Sequence, residues 1–297
     1  MILIYDCETK RWLTLLFQTP TLRHFAYRGK TWRVRCDSKL ALLFCSILLH
    51  GIVSATAQTQ SFPLPPISGL LGEKDPAAVA ELTAYDRATS SSGWQDFQAA
   101  GTLTYPAGDS HAAELYLSGS NSARLDVTMN SGTRSLRIGK ATGLFQDERG
   151  NEGSLSPATS RVGIVAFPRI WISALRSEDI SLYDQGTYSK TGRPLHRITM
   201  EYPLASHHEH GPVPTVATDL YFDPATNLLL YSVDAVAFKE SPGKIFTRTT
   251  QYSNYQPFNG VEIPSEIQQM LDDQPQWTLQ LNQVNTNENP PDSTFSF

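Results

Sequence analysis

The stretch TVATDLYFDPATNLLLYSVDAVAF, residues 215–238, continues through RTTQYSNY at 248–255 and NGVEIP at 259–264 to an apolar run from Trp277 to Val284. Each β-rich run is set off from the next by a turn signal: Asp223-Pro224, Pro242-Gly243, Asn259-Gly260, Asp272-Asp273. Short runs of β-branched and aromatic residues separated by such pairs predict a meander of antiparallel hairpins. The stretch carries no nucleophile, base or metal-ligand cluster, so it reads as scaffold, one wall of a container.

The beginning of the chain has a different character. Arg33, Arg35 and Lys39 precede an apolar run from Leu40 to Val53, and Ala55-Thr56-Ala57 follows. These are the three parts of a secretory leader, with cleavage expected after Ala57. The apolar core is shorter than the roughly 20 residues a membrane-spanning helix needs, so no permanent span is expected in the mature chain. Residues 1–31 lack alternation or caps and are expected to be an unstructured or mis-assigned extension. Residues 32–57 form the leader and 58–75 a Pro-rich linker carrying Pro63, Pro65 and Pro66; a single domain is expected over 76–297.

The segment to Ala57 holds 8 of the 24 Lys and Arg and 3 of the 29 Asp and Glu, leaving 16 against 26, a net charge of −10. Such a balance argues against nucleic acid, whose binding rests on neutralising phosphates, and against a polybasic membrane-surface role. All three cysteines, Cys7, Cys36 and Cys45, precede the cleavage site. The mature chain is long enough to bury a core without disulfides. Leu42-Leu43-Phe44 before Cys45 lacks the small residues of a lipidation signal.

Within the mature part, Asp75 can cap a helix with Pro76 at its first position, and Val79, Leu82, Tyr85 and Ala88 recur at helical spacing to about Thr89. Alternation then takes over from Phe97 to Ile138, and Gly139 to Gly153 reads as a glycine-punctuated loop or hairpin. Val162 to Leu175 is unusually apolar and interrupted by Pro168, which predicts one kinked helix or two short ones. Strands resume at Ile180; His196, Ile198, Met200 and Tyr202 share one face of theirs and Arg197, Thr199 and Glu201 the other. The expected class is α+β, mainly β: one large curved antiparallel sheet of about ten strands, an open half-barrel, with two or three helices on its concave side.

The order of a short helix, a strand meander, an apolar helix, then YFDP at 221–224, YSNY at 252–255, NGVEIP at 259–264 and a last strand leading to Asn287 and Phe295 resembles the LolA-like periplasmic lipoprotein carriers, the outer-membrane lipoprotein-sorting superfamily. The resemblance covers roughly residues 76–297 and is strongest over 215–297. It implies an exported, non-enzymatic protein of the periplasm or cell envelope, without a cofactor, binding lipid or lipoprotein acyl chains in an apolar cavity between sheet and helices. A monomer is expected. None of Arg161, Arg169 and Arg176 matches one-to-one the arginine that gates the carriers' ligand.

By position, the cavity lining would be Leu125, Val127, Met129, Leu136, Ile138, Val165, Phe167, Trp171, Ile198, Met200, Leu220 and Phe222. Hydrocarbon entering such a lining gains about 0.8 kcal/mol per buried methylene. The same residues serve equally as a filled core, and the alternative is then an envelope structural or protein-interaction module without a ligand.

Three other constellations are weaker. His207, His208, Glu209 and His210 have the right chemistry for Zn²⁺ or Cu²⁺, but neighbours in an extended loop point in different directions. No Gly-x-Ser-x-Gly is present, and Asp272-Asp273 reads as a turn. Tyr252, Asn254 and Tyr255 could order a ligand head group at a rim, or pack on a strand face with a turn between them.

Overall fold

The computed structural model describes residues 61–90, 95–119, 122–138, 143–155, 171–203, 215–237 and 243–295, together with the backbone of four short strands before residue 33. The chain divides into two compact units, Met1–Gln58 and Thr59–Phe297. In the first, β1 (Ile2–Asp6) pairs with β2 (Arg11–Leu15) and β3 (Phe25–Tyr27) with β4 (Lys30–Trp32), both antiparallel. These two short ladders are built from segments rich in β-branched and aromatic residues. The apolar run Leu40 to Val53 and the Ala57 site lie outside the described residues.

The second unit is built on one antiparallel sheet of thirteen strands. Its first meander is β5 (Asp96–Thr104), β6 (Ser110–Ser118), β7 (Ser122–Met129), β8 (Gly132–Ile138), β9 (Gly143–Gln146) and β10 (Glu152–Leu155). Its second is β11 (Ser181–Lys190), β12 (Arg193–Pro203), β13 (Thr215–Phe222), β14 (Leu229–Ala237), β15 (Ile245–Phe258), β16 (Val261–Leu271) and β17 (Gln274–Thr286). One ladder, β5 against β17, joins the two into the order 10-9-8-7-6-5-17-16-15-14-13-12-11.

Thirteen strands replace the expected ten, chiefly because Gly139 to Gly153 contributes the paired β9 and β10 on either side of a turn at Asp147 to Gly150. Backbone chemistry sets the tight hairpins. Thr191 and Gly192, Asn259 and Gly260, and Asp272 and Asp273 all have positive φ at both central positions, as the two-residue turns compatible with strand twist require. Register shifts in the β11–β12, β13–β14, β16–β17 and β17–β5 ladders mark bulges, each of which bends the sheet locally.

Where two or three helices were expected, the described residues hold one α-helix, α1 (Pro76–Thr89), a helical turn at Trp171 and Ile172 that runs into a 3-10 turn, Ser173–Leu175, and a second 3-10 turn, Asp292–Phe295. Most of the apolar segment beginning at Val162 lies outside the described residues. Asp75 caps α1 by accepting from the Ala77 N–H at 2.8 Å, Pro76 occupies the first position, and Ser90 ends it in the left-handed conformation. The buried stripe is Ala78, Leu82, Tyr85 and Thr89, with the expected Val79 partly buried against the same cluster. Thr89 tolerates burial because its hydroxyl donates to the Tyr85 carbonyl at 2.9 Å.

The Pro-rich stretch before α1 is a strap across the opposite face of the sheet. Phe62 is buried against Tyr188, Tyr221 and Tyr231, with the Lys190 ammonium 3.4 Å from its ring centroid. Glu201 accepts from the N–H groups of Ser68 and Gly69 and from the Ser68 hydroxyl. Lys74 then bridges Leu182 in parallel, so the strap also covers the start of edge strand β11. The prolines explain the extended path, since they exclude helix and need no ladder partner.

Candidate functional site

The helix-bearing face of the sheet is where the sequence places its apolar alternation, and α1 runs across the strands there rather than along them. Asp75, at its start, donates its N–H to the Leu182 carbonyl of β11; Glu81 meets His196 of β12; Tyr85 packs at a tilt against Phe222 of β13 with centroids 5.4 Å apart. Tyr85 also meets Tyr255 of β15, and burial pushes its phenol well above the ordinary range.

The expected lining residues assemble on this face. Leu125, Val127, Leu136, Trp171, Ile198, Met200, Leu220 and Phe222 are buried in one apolar cluster, with Met129 and Ile138 partly buried against it. Val165 and Phe167 lie outside the described residues. The cluster extends from Leu136 of β8 to Leu182 of β11, and in the sheet order those strands are ten spacings apart. At about 4.8 Å per spacing that is roughly 48 Å of sheet, whereas the 14 residues of α1 give a rod of about 21 Å.

A polar row crosses the apolar face. Thr218 of β13 pairs with Asp234 of β14, Asp234 with Arg248 of β15, and Gln269 of β16 lies diagonal to Arg248, opposite Thr250. Asp234 and Arg248 form a side-on fork, Nε to Oδ1 at 2.9 Å and Nη2 to Oδ2 at 2.5 Å, with both side chains almost completely buried. Burial opposes charge on Arg248, but Asp234 outweighs it and the guanidinium ends above its ordinary value. Nearby, the Tyr252 hydroxyl meets Ser232 at 3.1 Å and also Trp171. The Thr218 hydroxyl and the Gln269 amide nitrogen are buried without a hydrogen-bond partner.

Tyr252 is buried, and Tyr255 donates to the Leu229 carbonyl at 2.7 Å, so both are strand-face packing. Asn254 has positive φ and donates to Glu266. The loop His207 to His210 lies outside the described residues; among those described, no group of three or more His, Cys, Asp or Glu is placed to hold a metal.

On the opposite face, the polar side of β12 is not a solvated surface. Arg197 donates to Asp219 from Nε at 2.9 Å and Nη2 at 2.6 Å, Thr199 donates to the other oxygen at 2.6 Å, and Glu201 is buried under the strap. Burial raises the Asp219 pKa despite these donors. On Glu201 burial pulls the same way, but the hydrogen bonds from Ser68, Thr215 and Gly69 prevail and hold it low.

Sequence reasoning missed the polar row and this buried Asp219 network. A signal for the row was present: once the hairpin at Pro242-Gly243 is registered, Asp234 and Arg248 share the parity of the inward residues and face each other.

No protein-family model matches the chain, and no curated protein matches it. Solved structures are similar to it. Its fold resembles that of LolA superfamily proteins. One from Nitrosomonas europaea is 13% identical and aligns over 74% of this chain and 97% of its own, with a TM-score of 0.47. A domain named for outer membrane lipoprotein sorting, from Vibrio parahaemolyticus, is 8% identical over 74% and 96%, TM-score 0.48. A DUF1329 family protein from Desulfovibrio piger is 9% identical over 73% and 96%, TM-score 0.46.

Proposed function

We propose that this protein is an exported, non-enzymatic carrier of the periplasm or cell envelope that holds lipid or lipoprotein acyl chains between the sheet and its helices. One observation carries the reading: a continuous apolar face, from Leu136 and Leu125 at one side to Ile198 and Phe222 at the other, extends well beyond the span of α1. An apolar surface of that extent is the chemistry that takes up hydrocarbon from water. The leader read at residues 32–57 supports export, and the acidic balance of the remainder supports a ligand other than nucleic acid.

Native mass spectrometry of mature protein purified from an envelope fraction tests the reading, together with displacement of a fluorescent acyl probe. Co-purified lipid and saturable displacement are expected. Repeated recovery of lipid-free protein that neither binds nor releases the probe would overturn it.

A further inference from the structure

We propose that the row Thr218–Asp234–Arg248–Gln269 is a head-group site that takes the neutral carbonyl oxygens of an acyl ester. The inference rests on the acyl-carrier reading and adds where, and by what chemistry, the polar end of the ligand is held.

The four residues occupy adjacent strands of the helix-bearing face, with inward parity shared by Phe222, Tyr252 and Ile267. Two of them are unspent: the Thr218 residue is 0% exposed and Gln269 8%, and neither the hydroxyl nor the amide nitrogen has a partner. A buried polar group without a hydrogen bond costs about 1–3 kcal/mol, and a valine or leucine at either place would avoid that cost. A buried ion pair is likewise no better for stability than apolar side chains of the same volume. Three costly choices in one row are explained together if a ligand completes the bonding.

The row also specifies what it would hold. Gln269 Nε2 is a donor and the Thr218 hydroxyl can be one; the side-on fork of Arg248 commits Nε and Nη2 to Asp234 and turns Nη1 away from it. The complement of donors is an oxygen acceptor. The charge of Arg248 is already balanced by Asp234 at hydrogen-bond distance, so a phosphate gains no net attraction and would bring an uncompensated charge into a buried site. A neutral ester carbonyl accepts the same bonds without it. Trp171 and the apolar residues around the row would take the adjoining chain.

The test uses the mature protein, a pyrene-labelled alkane as reporter, and three competitors: dioleoylglycerol, dioleoyl phosphatidic acid and octadecane. The double variant Thr218→Val/Gln269→Leu is expected to fold with an unchanged or raised Tm, to keep its affinity for the reporter and octadecane, and to lose about tenfold to thirtyfold in affinity for dioleoylglycerol, the worth of one to two hydrogen bonds. The single variant Thr218→Val, close to isosteric, is expected to show about half of that logarithmic loss and serves if the double variant does not fold. Unchanged dioleoylglycerol affinity in variants that still bind the reporter overturns the head-group site and leaves the carrier reading standing. Phosphatidic acid binding more tightly than dioleoylglycerol, with that preference lost in the variants, overturns the choice of a neutral carbonyl. Wild-type protein that fails to bind the reporter at all overturns the carrier reading, and this inference with it.

Discussion

Glu81 of α1 and His196 of β12 meet at 2.6 Å, and the other ring nitrogen of His196 meets Asp184 of β11 at 2.8 Å. An imidazole donates from both nitrogens only when protonated, so the contact that ties the helix to the sheet depends on charge. Burial lowers the His196 pKa, but the bonds to Asp184 and Glu81 outweigh it and the net shift is upward. Asp184 is held low, first by the Gly186 N–H and then by His196.

The signs follow. A raised histidine pKa gives stability that is complete below the unfolded value of about 6.5 and lost as pH rises through the higher folded value. The depressed Asp184 gives stability present above about 3.9 and lost as pH falls through its lower folded value. Urea midpoints are therefore expected to be highest between roughly pH 4 and 6.5 and to decline above that. His196→Gln is expected to flatten the decline; parallel profiles for the two proteins would refute the assignment.

Removing one half of the buried fork leaves the other charge stranded. Asp234→Ala is expected to cost about 3–5 kcal/mol in chemical denaturation. Asp234→Leu combined with Arg248→Met restores an apolar, similar volume and is expected to recover most of that loss. A double variant no more stable than the single would show that the pair itself holds the strands in place.

At the seam between the two meanders, a Cβ on Gly101 of β5 would lie 2.2 Å from the Gln280 carbonyl oxygen of β17. Backbone must move to admit it. Gly101→Ala is expected to destabilise by about 1–3 kcal/mol, as overpacking does, read as a lower denaturation midpoint with the slope unchanged.

Phe62 is the anchor of the strap. Phe62→Ala removes a buried ring and the contact with Lys190, worth about 3 kcal/mol or more where the ring is lost from a packed site. Faster chymotrypsin cleavage at Leu64 and Leu70, which are already exposed, is the expected signature. Cleavage at the wild-type rate would mean that the Glu201 bonds alone hold the strap.

Much of this architecture is legible in the chain because local chemistry dictates it. Asp75 and Pro76 start α1, positive-φ pairs such as Asn259-Gly260 close hairpins, and the alternation from Leu195 to Tyr202 assigns each residue its face. What alternation cannot reveal is what covers a face. Arg197, Thr199 and Glu201 read only as sharing the other face of their strand, yet non-local partners cover them: Asp219 from the next strand and a proline-directed strap more than 100 residues earlier. The polar row was hidden for a related reason. Asp234 and Arg248 are ordinary charges in their own strands and become a site only when register sets one against the other.

The ladder of β5 with β17 gives the order of synthesis a structural consequence. The first strand of the sheet waits for the last, which leaves the ribosome 170 residues or more behind it and is then fixed by the Asp96 carboxylate accepting from the N–H groups of Glu288 and Asn289. Without β17, the inner strands β5 and β16 would each lack a partner, and the two meanders would not share one apolar face. Loss of β17 would divide the sheet through its middle rather than trim its edge.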